Sequence, residues 1–278
     1  MTSSIQSQEE FRLGLAERAP GMRVLAWSDD QLYAARGYEL LRARVQDPSC
    51  LRWESVAVFR PELKRRLSAA NRMTARLFRD GFHALAVLSS GDLVAAVAGA
   101  IVSLRAGENE FHVTHRVTRG IRPLHITATP SGSVLWGEYF DNAARETVHI
   151  YGSRDTKTWD VAYTFPKGAI RHIHNIVYDR WENCLWNLTG DYGDECRILR
   201  AECDFSRVET VLQGNQQTRA VALVPMQDGL LLFLRHAARG EFHLSSRPRQ
   251  KAFTPGSDQQ FLHLRLPGWP ANFLFDHG

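Results

Sequence analysis

The sequence predicts an all-β protein, a β-propeller of four-stranded antiparallel blades, and three observations predict it. A turn followed by a Leu-led strand recurs along the chain. β-branched and aromatic residues fill the short runs between turns punctuated by Gly, Asp, Asn and Ser. The whole unit repeats at the 40–50-residue spacing of a propeller blade once one inserted segment is set aside.

The repeat reads SDDQLYAARG (Leu32), SSGDLVAAVAG (Leu93), PSGSVLWGEY (Leu135), WENCLWNLTG (Leu185) and MQDGLLLF (Leu230), with Leu-to-Leu steps of 61, 42, 50 and 45. Each turn follows a first strand: MRVLAW, FHALAVL, LHITAT, HNIVYD and RAVALV. A third strand is clearest in TVHIYG and CRILRAE. A fourth closes each unit at Trp53–Phe59, Phe111–Val117, Trp159–Phe165 and Val208–Leu212. The long first step contains an insertion. Between Arg60 and Arg79 seven basic residues oppose the single acid Glu62, and Leu63, Leu67, Ala70, Met73 and Leu77 recur at helical spacing. That predicts one basic amphipathic helix near 61–79, whose simplest role is a solvated face packed on the body of the fold. The organisation expected is an N-terminal segment 1–21 and blades at 22–60, 81–119, 122–167 and 171–213. A partial blade follows at 217–233, then a tail at 234–278. A single four-stranded blade cannot bury both its faces, so stacking around an axis is what stabilises it.

Composition is that of an ordinary globular protein, with 44% hydrophobic and 23% charged residues in 278. The longest nearly uncharged apolar stretch, Leu93–Leu104, is 12 residues; a membrane-spanning helix needs about 20, so no transmembrane segment is expected. The N-terminus has no basic start followed by an apolar core, so no secretory signal is expected. Cys50, Cys184, Cys196 and Cys203 form no CxxC pair, and the expected location is cytoplasmic. A net charge of +4 is too small to imply nucleic acid, and no aromatic residues apart from Phe78 interleave the basic helix, so no nucleic-acid partner is expected. The oligomeric state is left open.

The segment YGSRDTKTW, with Ser153, Asp155, Thr158 and Trp159, resembles the Asp-box of sialidase-like BNR-repeat propellers, one residue short and without its Gly. With GEYFDN (137–142), the block 149–174, LWNLTGDYGDE (185–195) and GNQQTRAVAL (214–223), the chain from about Met22 to Phe233 resembles a BNR-repeat propeller family of poorly defined function. The resemblance implies a six-bladed propeller related to sialidases in architecture. It does not imply standard sialidase activity: Phe59-Arg60-Pro61 only echoes the usual Phe-Arg-Ile-Pro opening, and no sialidase catalytic residue carries over. The Asp-box aspartate is expected to close its own turn.

After Phe233 the repeat stops. Back-translated from Leu234 in a shifted frame, the tail can encode propeller-like strands such as FGMPLEENFIYRLDRG. The expectation is therefore a frameshift near residue 233, with an open ring and an impaired, aggregation-prone chain; the alternative is a divergent last blade or an unstructured tail.

In a propeller the loops between strands 2 and 3 and those joining successive blades share one face, around the channel mouth. The polar clusters fall in those two loop types. Glu138, Tyr139 and Asn142, and then Asp191, Asp194 and Glu195, lie in strand 2–3 loops; Arg171, His172 and His174, and then Gln216, Gln217 and Arg219, lie in blade-to-blade loops. Glu138 and Asp191 are the candidate catalytic pair, one acid and one nucleophile or base. Tyr139, Arg171, His172, His174, Glu195, Gln217 and Arg219 are the candidate substrate-binding residues, the arginines as planar forks for a substrate carboxylate. Trp136 and Trp186 either add a sugar-stacking surface or belong to the core between blades. No resident cofactor is expected. His172 and His174 are the weak candidates for a divalent metal, a hydrogen-bonded histidine pair being the simpler expectation. The function expected is recognition of an anionic or neutral glycan or other small molecule, with hydrolase-like or lyase-like cleavage left open. The alternative is a non-catalytic protein-interaction scaffold.

Overall fold

The computed structural model describes residues 21–46, 50–62, 65, 80–214, 219–236 and 241–248, and of 233–248 the backbone alone. Strands make up the described residues, with one 3-10 turn at Gly193–Glu195. Of the basic helix expected near 61–79, residues 63–64 and 66–79 lie outside the described residues, as do the segment 1–20 and the tail from 249.

Five antiparallel meanders follow one another. The first is β1 (Arg23–Ser28), β2 (Gln31–Arg36), β3 (Glu39–Arg44) and β4 (Trp53–Phe59); the second is β5 (Phe82–Val87), β6 (Leu93–Val97), β7 (Ala100–Leu104) and β8 (Glu110–Arg116). The third is β9 (Ile126–Ala128), β10 (Val134–Gly137), β11 (Val148–Ser153) and β12 (Asp160–Phe165); the fourth is β13 (Ile173–Asp179), β14 (Cys184–Thr189), β15 (Arg197–Glu202) and β16 (Val208–Gln213). The fifth has three strands, β17 (Ala220–Pro225), β18 (Gly229–His236) and β19 (Glu241–Pro248). Strand formation thus continues past Phe233, where the sequence repeat fades.

The first strands of successive meanders pack side by side, β1 on β5, β5 on β9, β9 on β13 and β13 on β17. This is the arrangement of wedge-shaped sheets around an axis. The period-2 alternation of each middle strand feeds two different cores. In β10, Leu135 packs with Ile150, Ile173 and Leu185, while Val134 and Trp136 pack with Val94, Ile101 and Ile126. In β14, Leu185 joins the third meander, while Trp186 and Leu188 join Ala220, Leu223 and Leu230 of the fifth. Both faces of the inner sheets are therefore covered by neighbours.

One feature departs from separate blades. The outermost strands β4 and β8 pair in parallel at Val58–Glu110 and Phe59–Phe111, joining the first two meanders into one eight-stranded sheet. One aromatic contact crosses between the two meanders: the Tyr38 ring meets the Phe82 ring edge on at 6.5 Å, centre to centre, with Phe59 beside Tyr38 and Phe111 beside Phe82.

Candidate functional site

One polar cluster gathers side chains from three connections at the same end of the inner strands. His172 precedes β13 and His174 lies in its first turn of pairing; Asp191 follows β14; Arg219 precedes β17. Pairing of β13 with β14 shifts register between Ile173 and Asn175, a bulge at His174. Such a bulge re-aims a side chain that regular pleating would direct elsewhere. Asp191 is presented by Gly190, whose backbone is left-handed at φ +73° and whose N–H donates to the His172 carbonyl at 3.2 Å. A Cβ at Gly190 would lie 1.9 Å from the Glu195 carbonyl oxygen, so only glycine lets the turn close. The Thr189 hydroxyl donates to that same carbonyl at 2.9 Å.

The two imidazoles meet tip to tip, with His172 Nε2 3.0 Å from His174 Nε2. Asp191 faces both: Oδ2 is 3.1 Å from His172 Nε2, and Oδ1 is 3.3 Å from His174 Nε2. Arg219 Nη2 donates to Asp191 Oδ1 at 2.5 Å, and Arg171 Nη1 lies 3.9 Å from Oδ2. All three of His172, His174 and Asp191 are buried. His174 Nδ1 is 3.3 Å from the Ala220 carbonyl, which can only accept, so that nitrogen carries the proton. In the neutral ring Nε2 then presents a lone pair to the cluster. Burial pushes the His174 imidazole below its ordinary value, against the opposing pull of Asp191. Burial alone would raise the Asp191 carboxyl, but the flanking His172 and His174 side chains carry it well below the usual carboxylate range. The Tyr139 ring covers His172 at 4.3 Å.

The other expected residues have different surroundings. Glu138, 2% exposed, is gripped by Arg119: Nε donates to Oε1 at 2.8 Å, Nη2 donates to Oε2, and the His149 N–H donates to Oε2 at 2.8 Å. Glu195 Oε1 accepts from Arg145 Nε at 2.7 Å. Arg171 Nη2 donates at 2.7 Å to Asp141 Oδ1, on the same rim. Asn142 is internal, donating to the carbonyls of Glu146 and Arg171. Gln217, with Gln216, lies outside the described residues. Of the two expectations for Trp136 and Trp186, the core between blades is the one observed: they are 2% and 0% exposed, Trp136 stacks on Tyr151 at 4.5 Å, and Trp186 Nε1 donates to Asp179. Period-2 alternation aims both at a neighbouring sheet rather than at the mouth.

Asp155 accepts from the Thr158 hydroxyl and N–H, the Lys157 N–H and the Ser153 hydroxyl, closing the β11–β12 turn at the far end of the strands. A second polar grouping was not legible in the sequence. His83, at the register shift of β5 as His174 is in β13, has Arg122 Nη1 2.7 Å from its Nδ1, with Arg23 Nη1 also at that nitrogen. The signal available was positional: His83 follows the first residue of its inner strand as His174 does.

No family model matches the chain, and no curated protein matches it. Among solved structures it resembles the nidogen/laminin complex, with 11% identity over 83% of this chain and 78% of that one, at a TM-score of 0.56. It also resembles a gluconolactonase from Xanthomonas campestris, with 12% identity over 86% of this chain and 73% of that one, at a TM-score of 0.51. Identities this low bear on fold alone, and with the radial packing of the meanders they define the class: the chain is a β-propeller.

Proposed function

We propose that the chain is a carbohydrate-related propeller of the sialidase-like BNR-repeat type, binding an acidic glycan at the mouth where His172, His174, Asp191, Arg171 and Arg219 converge. In this reading the meanders are four blades and part of a fifth of a six-bladed ring, with the basic helix inserted after the first. The observation that carries it is the Arg171–Asp141 pair. Arg171 is mostly enclosed, with 26% of its side chain exposed, while the carboxylate it holds is 84% exposed. A ligand carboxylate can take the place of Asp141 on a fork already held in position. Tyr139, whose ring lies tilted at 45° against His172, supplies an aromatic group beside that fork.

Hydrolysis by the Glu138 and Asp191 pair is the weaker form of cleavage, because it requires one carboxyl to be protonated. Asp191 is held ionised by its neighbours, and both oxygens of Glu138 accept hydrogen bonds from Arg119. Elimination beside a sugar carboxylate suits the arginines better, since neutralising that carboxylate is the first requirement of such chemistry. The test is a glycan array probed with the full chain. Uronate-bearing glycans should be retained, and Arg171→Met should reduce retention at least about tenfold, the loss expected for one charge-assisted bond. Absorbance of an unsaturated sugar product reports elimination. Retention of no acidic glycan, or retention unchanged in Arg171→Met, sinks this reading and leaves the protein-interaction scaffold.

A further inference from the structure

We infer that His172, His174 and Asp191 form a site for one divalent transition-metal ion of the zinc class, with His172 Nε2, His174 Nε2 and Asp191 Oδ2 as its ligand atoms. The donor atoms of the three residues all lie within 4.8 Å of one another. The separations of 3.0 Å between the imidazole tips and 3.1 Å from His172 to Asp191 Oδ2 are the edges of a ligand triangle. Metal–ligand bonds of about 2.0–2.1 Å in a tetrahedral shell put ligand atoms about 3.3 Å apart. Those two edges therefore need to open by only a few tenths of an ångström, a movement within side-chain reach.

The proton count supports the same conclusion. His174 Nδ1 donates to the Ala220 carbonyl, so its Nε2 is a lone pair; both Asp191 oxygens are acceptors. Arg219 already donates to Oδ1, and a cation between the two imidazole tips and Oδ2 would meet those three atoms at once. The surroundings hold two of the three ligands, His174 and Asp191, as metal ligands are held. The Ala220 carbonyl fixes the tautomer and ring plane of His174, and Arg219 holds the other carboxylate oxygen, Oδ1, leaving Oδ2 for the ion. Two imidazoles and one carboxylate leave coordination positions open, the pattern of sites that bind a substrate or water at the metal. A sugar carboxylate is a suitable occupant, so the inference deepens the glycan reading and rests on taking this cluster as the functional site.

The experiment uses the full chain, stripped by chelator and titrated with Co2+ and then Zn2+ in the absence of any glycan. One equivalent of Co2+ should bind with the visible ligand-field bands of a nitrogen- and oxygen-ligated ion, and Zn2+ should displace it. His174→Gln and Asp191→Asn should each weaken binding by at least about 100-fold, and Arg219→Met by about 10–100-fold. His112→Gln, which removes an exposed histidine on β8, should bind as the parent does. Should the ligand variants fail to fold by circular dichroism, X-ray absorption at the zinc edge of the parent protein decides, with two imidazoles in the first sphere expected. No stoichiometric ion in the parent, or an ion whose binding or spectrum ignores these substitutions, overturns the site. Because no glycan is present, that failure stands apart from failure of the array.

Discussion

Replacing Arg119 by Met strands the buried Glu138 carboxylate. Glu138 is 2% exposed and Arg119 has 31% of its side chain exposed. The guanidinium donates to both carboxylate oxygens and, through Nη1, to the Thr147 carbonyl at 2.8 Å; its carbon also sits 4.7 Å over the Phe140 ring. With Arg119→Met the carboxylate keeps a single charge-neutral donor, the His149 N–H, in an enclosed site. Removing one partner of a buried pair costs about 3–5 kcal/mol, mostly the penalty of stranding the other charge. At about 2–4 °C per kcal/mol for a domain of this class, melting should fall by roughly 6–20 °C. Glu138→Leu should cost a similar amount by stranding Arg119. The double variant should recover most of the loss, because a well-packed apolar pair is often close to neutral against a buried ion pair. Urea denaturation of the parent, the two single variants and the double variant closes the cycle. Single losses under about 1 kcal/mol, the range of an exposed pair, would refute the claim that Glu138 is held for structure, and would return it to the list of groups available for chemistry.

Two further substitutions probe how the mouth and its opposite end are built. Gly190→Ala should displace the loop that carries Asp191, since the added carbon meets the Glu195 carbonyl at 1.9 Å and the backbone is left-handed; destabilisation of at least about 1–3 kcal/mol with loss of Co2+ binding is expected, read by thermal melting and the visible spectrum. At the opposite end, bonds from the Thr158 hydroxyl and N–H and the Lys157 N–H hold the Asp155 carboxyl well below the usual carboxylate range. Asp155 therefore stays ionised in the folded chain to lower pH than in the unfolded one, so its contribution is complete above about pH 4 and drains away as pH falls through the folded value. Asp155→Asn should have a flatter melting-temperature profile than the parent below that pH, and an unchanged profile would show that the turn does not depend on the charge.

The strands were legible because their physics is local. Leu135 and Trp136 are adjacent yet serve different cores, which alternation alone foretells, and the turns carry the residues that turns require. The grouping of His172, His174, Asp191 and Arg219 was legible for a topological reason: two loop types of a meander necessarily emerge at the same end. The partnership of Glu138 was not. Arg119 reaches it from the connection that precedes β9, and nothing in the spacing of two charged residues says which carboxylate a guanidinium will take. Trp136 and Trp186 stayed open between two readings because a tryptophan beside a polar loop can be a sugar platform or a wedge between sheets; the direction of its Cβ decides. The union of β4 and β8 is likewise a contact between outer edges, set by how Phe59, Phe82 and Phe111 fill the space between two wedges.

Charge balance at the mouth links the two proposals. Arg171 and Arg219 are matched by Asp141 and Asp191, and the Arg119–Glu138 and Arg145–Glu195 pairs are each neutral. These pairs leave no excess charge with which to draw in an acidic ligand from a distance, so Arg171 acts on a ligand carboxylate at contact, by exchange with Asp141. A divalent ion on the triangle changes that sum by two positive charges in a partly enclosed site, where Coulomb attraction at about 4 Å is worth several times its value in water. The arginines would then orient a carboxylate whose affinity comes chiefly from the ion. The alternative, a metal-free mouth, leaves the same arginines committed to their own aspartates, which is the charge pattern of a structural rim.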